Sequence, residues 1–248
     1  MHRRARHLNP RDAGAFLALD SRFISGVSDG SSISSWTSRT GSNDASQATS
    51  ANQPVYKTNI VSGQPVVRFT KSSLQYMRTG NGPFGTTSGI SILAVASVNA
   101  IGSPNYQTFL NHGDYATYTG TVAEMTCDAN SRKIASMAVS GSTPSQVVDS
   151  ASQSQNSFFV ATSRCSSSGA LNLNVNGVSI GNGSTLPGNI NNLSTPVGIG
   201  ARGTGTVAAL DALDGDIGQI IYAASDFGSS LLKLIRHASA FSFKIACS

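Results

Sequence analysis

The residues that could perform acid–base chemistry are few in this sequence. Glu124 is the only glutamate, against eleven aspartates. Hydrolysis of a glycosidic bond normally needs two carboxyl groups, one as acid and the other as nucleophile or base. No two aspartates alternate on a recognisable central strand, and the alternating pair Asp214 and Asp216 is predicted to serve a turn. The sequence therefore favours a protein without glycosidase activity.

The best candidate for a metal site is a group of three aspartates. Asp211, Asp214 and Asp216 lie within six residues, and Gly215 allows a sharp turn between the last two. Hard oxygen ligands at such spacing suit Ca²⁺, although acidic residues are also common in turns. The sequence predicts that these aspartates form a calcium site, and it indicates no other cofactor.

Three further patterns give alternative chemistry, each beside a structural explanation that we favour. His112 is close to Asp114 and could act as a base, but a loop histidine satisfied by polar neighbours explains it as well. Residues 200–205 (G-A-R-G-T-G) lack the lysine of a phosphate-binding loop. Trp36, the only tryptophan, could stack on a sugar or seal the edge of a sandwich. No G-x-S-x-G elbow is present for nucleophilic hydrolysis.

The cysteines do not have the spacing of a metal site. Cys127, Cys165 and Cys247 are an odd number and form no C-x-x-C pair, which argues against zinc. A Cys127–Cys165 disulfide remains open from the sequence. Buried free thiols are the favoured alternative.

Positive charge is concentrated at the N-terminus. The net charge is +5, and four of these charges come from arginines within the first eleven residues: Arg3, Arg4, Arg6 and Arg11. The rest of the chain is close to neutral, which argues against nucleic-acid binding because that needs a broad basic surface. We predict that residues 1–12 are a flexible basic arm, either a solvated tail or an element that docks the protein onto its partners.

Apolar runs are short throughout. The segment 15–19 is too short for the core of a signal peptide, and no run approaches the roughly 18 residues that span a membrane. We expect a chain made in the cytoplasm, with no signal peptide and no membrane partner.

Residues 171–180 (L-N-L-N-V-N-G-V-S-I) give the clearest structural signal. Apolar Leu171, Leu173 and Val175 alternate with asparagines, which is typical of a strand with one face buried. Asn176-Gly177 then suits a two-residue hairpin turn. A sheet with one solvated face is normally antiparallel and needs a second layer to cover its apolar face.

The rest of the chain supplies many short strands and then one helix. Residues 88–99 are almost wholly apolar, as in a central strand covered on both faces, and residues 64–70 and 74–78 are predicted to pair with each other. A period of 3.6 residues then predicts a helix over 229–245, with Ser229 or Ser230 as its cap. We predict one all-β domain over residues 13–248, an antiparallel jelly-roll sandwich with a C-terminal amphipathic helix.

Four segments form a pattern along the chain: Leu19-Asp20; residues 33–36 with Gly41 and Ala45; residues 52–56 with 63–69 (G-Q-P-V-V-R-F); and residues 175–178 with 213–217. In this order they resemble the laminin-G-like, concanavalin A-like lectin/glucanase superfamily. The resemblance covers roughly residues 13–245 and is closest to the single-domain versions of bacterial surface proteins and phage particles. Ala18 replaces the tryptophan of the entry strand, and Gln219 stands where an acidic residue is common.

The resemblance implies a sandwich fold, and it adds support for a calcium ion at a sheet rim. The glucanase branch places Glu-x-Asp-x-x-Glu along one strand, and a chain with one glutamate cannot form that motif. We therefore expect a non-catalytic structural or recognition module that binds other protein subunits of a larger assembly, such as a phage capsid or tail, and also glycans. A divergent glycoside hydrolase on the same fold is the alternative.

Overall fold

A computed structural model describes residues 14–81, 89–99, 106–113, 120–166, 169–202 and 211–246, without six side chains of the C-terminal helix. The strands are β1 (Leu17–Asp20), β2 (Ser35–Trp36), β3 (Ala45–Ser46), β4 (Val55–Val61), β5 (Gln64–Phe69), β6 (Met77–Asn81), β7 (Gly89–Val98), β8 (Tyr106–Gly113), β9 (Thr121–Asp128), β10 (Lys133–Ser140), β11 (Thr143–Ser152), β12 (Phe159–Ser166), β13 (Ala170–Val175), β14 (Val178–Thr185), β15 (Pro196–Ile199) and β16 (Gly215–Ala223). One α-helix, α1 (Gly228–Phe243), follows β16, and the predicted arm lies outside the described residues.

The strands form two eight-stranded sheets. Sheet I has the order β14-β13-β12-β7-β16-β5-β4, with β1 also paired to β16. Sheet II has the order β11-β10-β9-β8-β15-β6-β3-β2. Every pairing between the described strands is antiparallel. The predicted all-β jelly-roll sandwich is confirmed.

Strand β7 lies at the centre of sheet I and is buried along its whole length. Ile90 and Ile92 belong to the core between the sheets, whereas Leu93 and Val95 belong to a second core on the outer face of sheet I. The almost wholly apolar sequence of β7 is therefore explained by burial on both faces, as predicted.

Helix α1 covers that outer face. Ile235, Ala240 and Phe243 pack in the second core beside Leu93 and Val95. Close packing requires Gly218 in β16, because a Cβ atom there would lie 2.7 Å from the Phe243 ring. The helix agrees with the predicted span to within two residues at its end, which is the usual uncertainty of helix boundaries.

The β13–β14 hairpin has the predicted register. Leu171, Leu173 and Val175 are buried in the main core, and the asparagines between them are only half-buried. Asn176 and Gly177 have φ angles of 50° and 91°, which are the left-handed conformations that the tight turn needs.

The predicted pairing of residues 64–70 with 74–78 is wrong. Strand β5 belongs to sheet I and pairs with β4 and β16, whereas β6 belongs to sheet II and pairs with β15 and β3. A 3₁₀ turn at Lys71–Ser73, followed by Leu74 with φ 48°, separates the two strands. The chain therefore crosses from one sheet to the other where a hairpin was expected.

Cys127 and Cys165 are both free and buried, which confirms the favoured alternative. Burial raises the pKa of Cys127 to about 12 and that of Cys165 to about 11, so neither forms a thiolate at neutral pH.

Within the described ranges, no helix is long and apolar enough to cross a membrane.

Candidate functional site

The outer face of sheet II presents a row of aligned residues across neighbouring strands. Glu124 in β9 lies opposite Asn111 in β8, Asn111 lies opposite Gly198 in β15, and Gly198 lies opposite Arg78 in β6. We call these four residues the polar row. The row faces away from the main core because Met125, next to Glu124, points into that core and neighbouring strand residues alternate.

The row extends to both edges of the sheet. On one side Met137 and then Gln146 continue it through β10 and β11, and on the other side Ser46 and then Ser35 continue it through β3 and β2. Gln146, Ser46 and Ser35 are exposed, and Met137 is half-buried. In the described part of the chain, α1 packs on sheet I and no helix covers this face of sheet II.

Arg202 binds Glu124 at the middle of the row. The Glu124 Oε1 atom accepts hydrogen bonds from Arg202 Nε at 2.7 Å and from Nη2 at 2.5 Å, and the two side chains are 3% and 8% exposed. Asn111 Nδ2 donates to the other carboxylate oxygen at 3.4 Å. Both oxygens of the only glutamate are therefore engaged.

Two more side chains hold Arg202 in place. Its Nη1 atom lies 3.5 Å from Oδ1 of Asp211, and its Cζ atom lies 4.6 Å from the centre of the Tyr106 ring. We call Glu124, Arg202 and Asp211 the ionic cluster. Such a buried group of charges is costly to form, and each member depends on the others for compensation.

Burial sets the protonation behaviour of this cluster. It raises the pKa of Glu124, and Arg202 opposes the shift. It also raises the pKa of Asp211, opposed by Arg202 and Lys71. Both carboxyl groups are therefore easier to protonate than exposed ones, and Arg202 is the main reason that they can be charged.

The three aspartates of the predicted calcium site are not brought together. Asp211 faces Arg202, Asp214 is attracted to Lys71, and Asp216 pairs with Arg68 through two hydrogen bonds. Across the described ranges, no group of three or more acidic, histidine or cysteine side chains could hold a metal ion. A cationic side chain thus occupies the neighbourhood of each aspartate, and calcium binding stays a prediction of the sequence.

His112 lies in strand β8 and not in the predicted loop. It is fully buried, with Nδ1 3.0 Å from the hydroxyl oxygen of Tyr222 and Nε2 3.1 Å from the carbonyl oxygen of Leu193. Polar neighbours therefore satisfy the ring, as predicted, and it does not face solvent as a base would.

Asp114 lies outside the described residues, as do Arg3, Arg4, Arg6 and Arg11 of the arm.

Trp36 is a buried plug, 1% exposed in the main core, which confirms the structural explanation.

The sequence did not single out Arg202, Asn111 or Tyr106. One signal was present for Glu124: a lone carboxylate inside the buried segment V-A-E-M-T-C needs a cationic partner.

No family model matches the chain, and no curated protein matches it. Solved structures do match. The binding domain of Paraclostridial Mosquitocidal Protein 1 superposes with a TM-score of 0.65 and 11% identity, over 93% of this chain and 53% of that one. The receptor binding domain of botulinum neurotoxin mosaic serotype C/D gives 0.62 and 11%, over 92% and 51%. The chain shares a β-sandwich fold with these binding domains.

A Trypanosoma rangeli sialidase shares the same sandwich with a TM-score of 0.55 and 14% identity, over 92% of this chain and 33% of that one. The chain thus spans about half the length of the two binding domains and a third of the sialidase. At these identities the likeness shows the fold alone. The sandwich fold agrees with the fold that the sequence resemblance implies.

Proposed function

We propose that this chain is a non-catalytic recognition module that binds carbohydrate on the outer face of sheet II. The polar row is the observation that carries the proposal. Together with its extensions, the row offers the half-buried Arg78 and the exposed Ser46 and Gln146 on one side of the sheet, and Gly198 adds no side chain between them. Sites for small polar ligands combine a few such placed groups with neighbouring apolar surface, here Met137.

The ionic cluster supports a binding function over a catalytic one. A general acid or base must be within reach of the bond that it acts on. Glu124 is buried, and Arg202 and Asn111 engage both of its oxygens. We interpret the cluster as a rigid support at the middle of the row. The matching binding domains are consistent with this function, since their names state binding or receptor binding.

An array of bacterial, plant and animal oligosaccharides tests the proposal. We expect binding to at least one class, and weaker binding by Arg78→Gln and by Gln146→Ala. Lys233→Gln, on α1 at the other side of the molecule, is the charge-matched control and should bind as the unmodified protein does. Binding to no oligosaccharide, or binding that both row variants leave intact, would contradict the proposal.

A divergent glycoside hydrolase is the second candidate. The observation that favours it is the presence of Glu124 and Asp211 around one arginine, both with a raised pKa. A reducing-sugar assay on mixed polysaccharides separates the two functions. Turnover that disappears in Glu124→Gln or Asp211→Asn would establish the hydrolase, and its absence at high enzyme concentration would favour the binding module.

We further propose, from the sequence alone, that the basic arm docks the domain onto other subunits of an assembly such as a phage particle. Arginine suits this role because it forms paired hydrogen bonds with carboxylates. Deleting residues 1–11 should leave the melting temperature of the domain unchanged and reduce its incorporation into particles from the native source. Normal incorporation of the truncated protein would show that the docking surface lies elsewhere.

A further inference from the structure

A cleft lies on sheet I, at the rim where the β4–β5 hairpin, the end of β7 and the segment after α1 meet. We call it the rim cleft. Its volume is 670 Å³, within the range of about 300–1,000 Å³ that is usual for small-molecule sites. Its walls include Arg68 and Asp216, the exposed Lys244, the amide side chain of Asn99, and apolar Phe158. It does not share a residue with the polar row or the ionic cluster.

An ion pair holds the central cation of the rim cleft in a fixed orientation. Asp216 lies directly opposite Arg68 in the β16–β5 pairing. Arg68 Nε donates to Oδ1 at 2.7 Å and Nη2 donates to Oδ2 at 2.9 Å. Two parallel bonds fix the plane of the guanidinium, and they leave its third nitrogen, Nη1, outside the pair. The Asp216 side chain is 3% exposed, whereas that of Arg68 is 36% exposed and lines the cleft.

The charges and walls of the cleft define what it can hold. Arg68 and Lys244 supply two positive charges, and Asp216 is the only carboxylate among the described lining residues. The lining itself thus carries one excess positive charge, while Asp214 and Asp29 act on Arg68 from outside the lining. The half-buried Phe158, which packs against the second core, offers an apolar surface beside these cations. Asn99 adds an amide group that can bind hydroxyl groups.

We propose that the rim cleft binds a small ligand that joins a carboxylate to a ring with an apolar face, and that its class is the acidic sugars. The carboxylate would bind between Arg68 Nη1 and Lys244 Nζ, and the ring would lie against Phe158. A simple inorganic anion would satisfy only the cations, and a neutral sugar only the ring surface and the amide. The combination of the cations, the amide and the apolar surface therefore determines the ligand class. The proposal does not depend on carbohydrate binding at the polar row.

A titration with D-glucuronate, followed by amide chemical shifts of the labelled full chain, tests the site. We expect shifts at Arg68, Lys244 and Asn99 in the millimolar range. D-glucose and inorganic phosphate are the comparison ligands, and both should bind more weakly than glucuronate. Equal binding of glucose would overturn the role of the cations, equal binding of phosphate would overturn the role of the ring, and absence of shifts at these residues would overturn the site.

Variants give a second readout. Lys244→Gln removes an exposed charge and should weaken glucuronate binding about two- to fivefold, as expected for one exposed ion pair. Lys233→Gln is the matched control outside the cleft and should have no effect. The double variant Arg68→Gln with Asp216→Asn removes both partners of the pair, so that no buried charge is left alone, and should abolish the preference for glucuronate over glucose. A preference that survives the double variant contradicts the proposal, as does an unchanged affinity in Lys244→Gln. Arg78→Gln should leave this binding intact, which separates it from the polar row.

Discussion

The imidazole of His112 in sheet II and the hydroxyl of Tyr222 in sheet I are 3.0 Å apart, and their hydrogen bond crosses the core of the sandwich. The carbonyl oxygen of Leu193 can only accept, so Nε2 of His112 donates to it and Nδ1 accepts from Tyr222. The neutral ring thus has a partner for each nitrogen. A charged ring would have to be buried at this position, which burial disfavours.

This arrangement predicts that the protein loses stability in mild acid. Burial lowers the pKa of His112 from 6.5 to about 4 in the folded chain. Between pH 6.5 and pH 4, the His112 ring binds a proton in the unfolded chain but not in the folded chain. The contribution of His112 to the free energy of unfolding is therefore complete above pH 6.5 and is lost as the pH falls towards 4. The loss should reach about 3 kcal/mol. Urea unfolding at several pH values measures it, and His112→Gln should have a flatter profile; parallel profiles would contradict the assignment.

Removing the Tyr222 hydroxyl should also destabilise the core. Tyr222→Phe removes the hydroxyl that donates to Nδ1 of the buried His112, and we expect a cost of about 1–3 kcal/mol in the free energy of unfolding. Phe69→Tyr cannot serve as the control, because it would add a hydroxyl group inside the buried core. The control is therefore Tyr76→Phe, which removes a hydroxyl group outside that core. Equal effects of the two Tyr→Phe changes would show that the hydrogen bond across the core adds nothing.

The ionic cluster predicts a large effect of one substitution. Arg202→Met removes the cation that pairs with the buried Glu124 and one of the two cations that act on Asp211, which should lower the free energy of unfolding at pH 7 by about 3–5 kcal/mol. Because both carboxyl groups already have a raised pKa, the variant should regain stability as the pH is lowered. The control adds Glu124→Gln and Asp211→Asn to Arg202→Met and should recover part of the loss at pH 7. An Arg202→Met variant as stable as the unmodified protein would show that the cluster is not needed for the fold.

The register of the β13–β14 hairpin can be tested with two alanine substitutions. Leu173 is fully buried between the sheets, and Leu173→Ala should cost about 2–5 kcal/mol through the cavity that it leaves. Ser179, on the partner strand, is exposed, and Ser179→Ala should stay within about 0.5 kcal/mol. Chemical denaturation measures both. Similar costs for the two variants would mean that the register is different.

Calcium binding can be tested by melting in millimolar calcium and in chelator. A ligand that binds only the folded protein must raise its stability. Since Arg202, Lys71 and Arg68 already face the three aspartates, we expect no difference between the two conditions. A higher melting temperature in calcium would instead support the site that the sequence predicts, and Asp214→Asn should then remove the increase.

The sequence predicts this fold well where the deciding information is local. Alternation from Leu171 to Val175 and the Asn176-Gly177 turn specify a hairpin within ten residues, and the structure has it. The crossing between β5 and β6 was not predicted, because it depends on the left-handed conformation of Leu74, a residue that rarely adopts it. Strands β4 and β11 were also missed, since their polar residues obscure the alternation.

The site was harder to predict than the fold. Glu124 and Arg202 are 78 residues apart in sequence, and only the antiparallel order β9-β8-β15 brings them to one face. Arg202 lies in a glycine-rich segment that resembles a phosphate loop, and this hid its role as the partner of a buried glutamate. The aspartates that did stand out, Asp214 and Asp216, point to different cations and not to a common centre.

Strand β16 has a consequence for how the protein is made. It pairs with β7, β5 and β1, and the contact between Gln219 and Asp20 joins residues 199 positions apart. At a synthesis rate of about 5–20 residues per second, β1 must wait roughly 10–40 s for its partner to emerge from the ribosome. During that time the largely apolar β7 has an unpaired edge on the side that β16 will occupy. Newly made chains should therefore be most exposed to aggregation, and most dependent on chaperones, just before their last strand is complete.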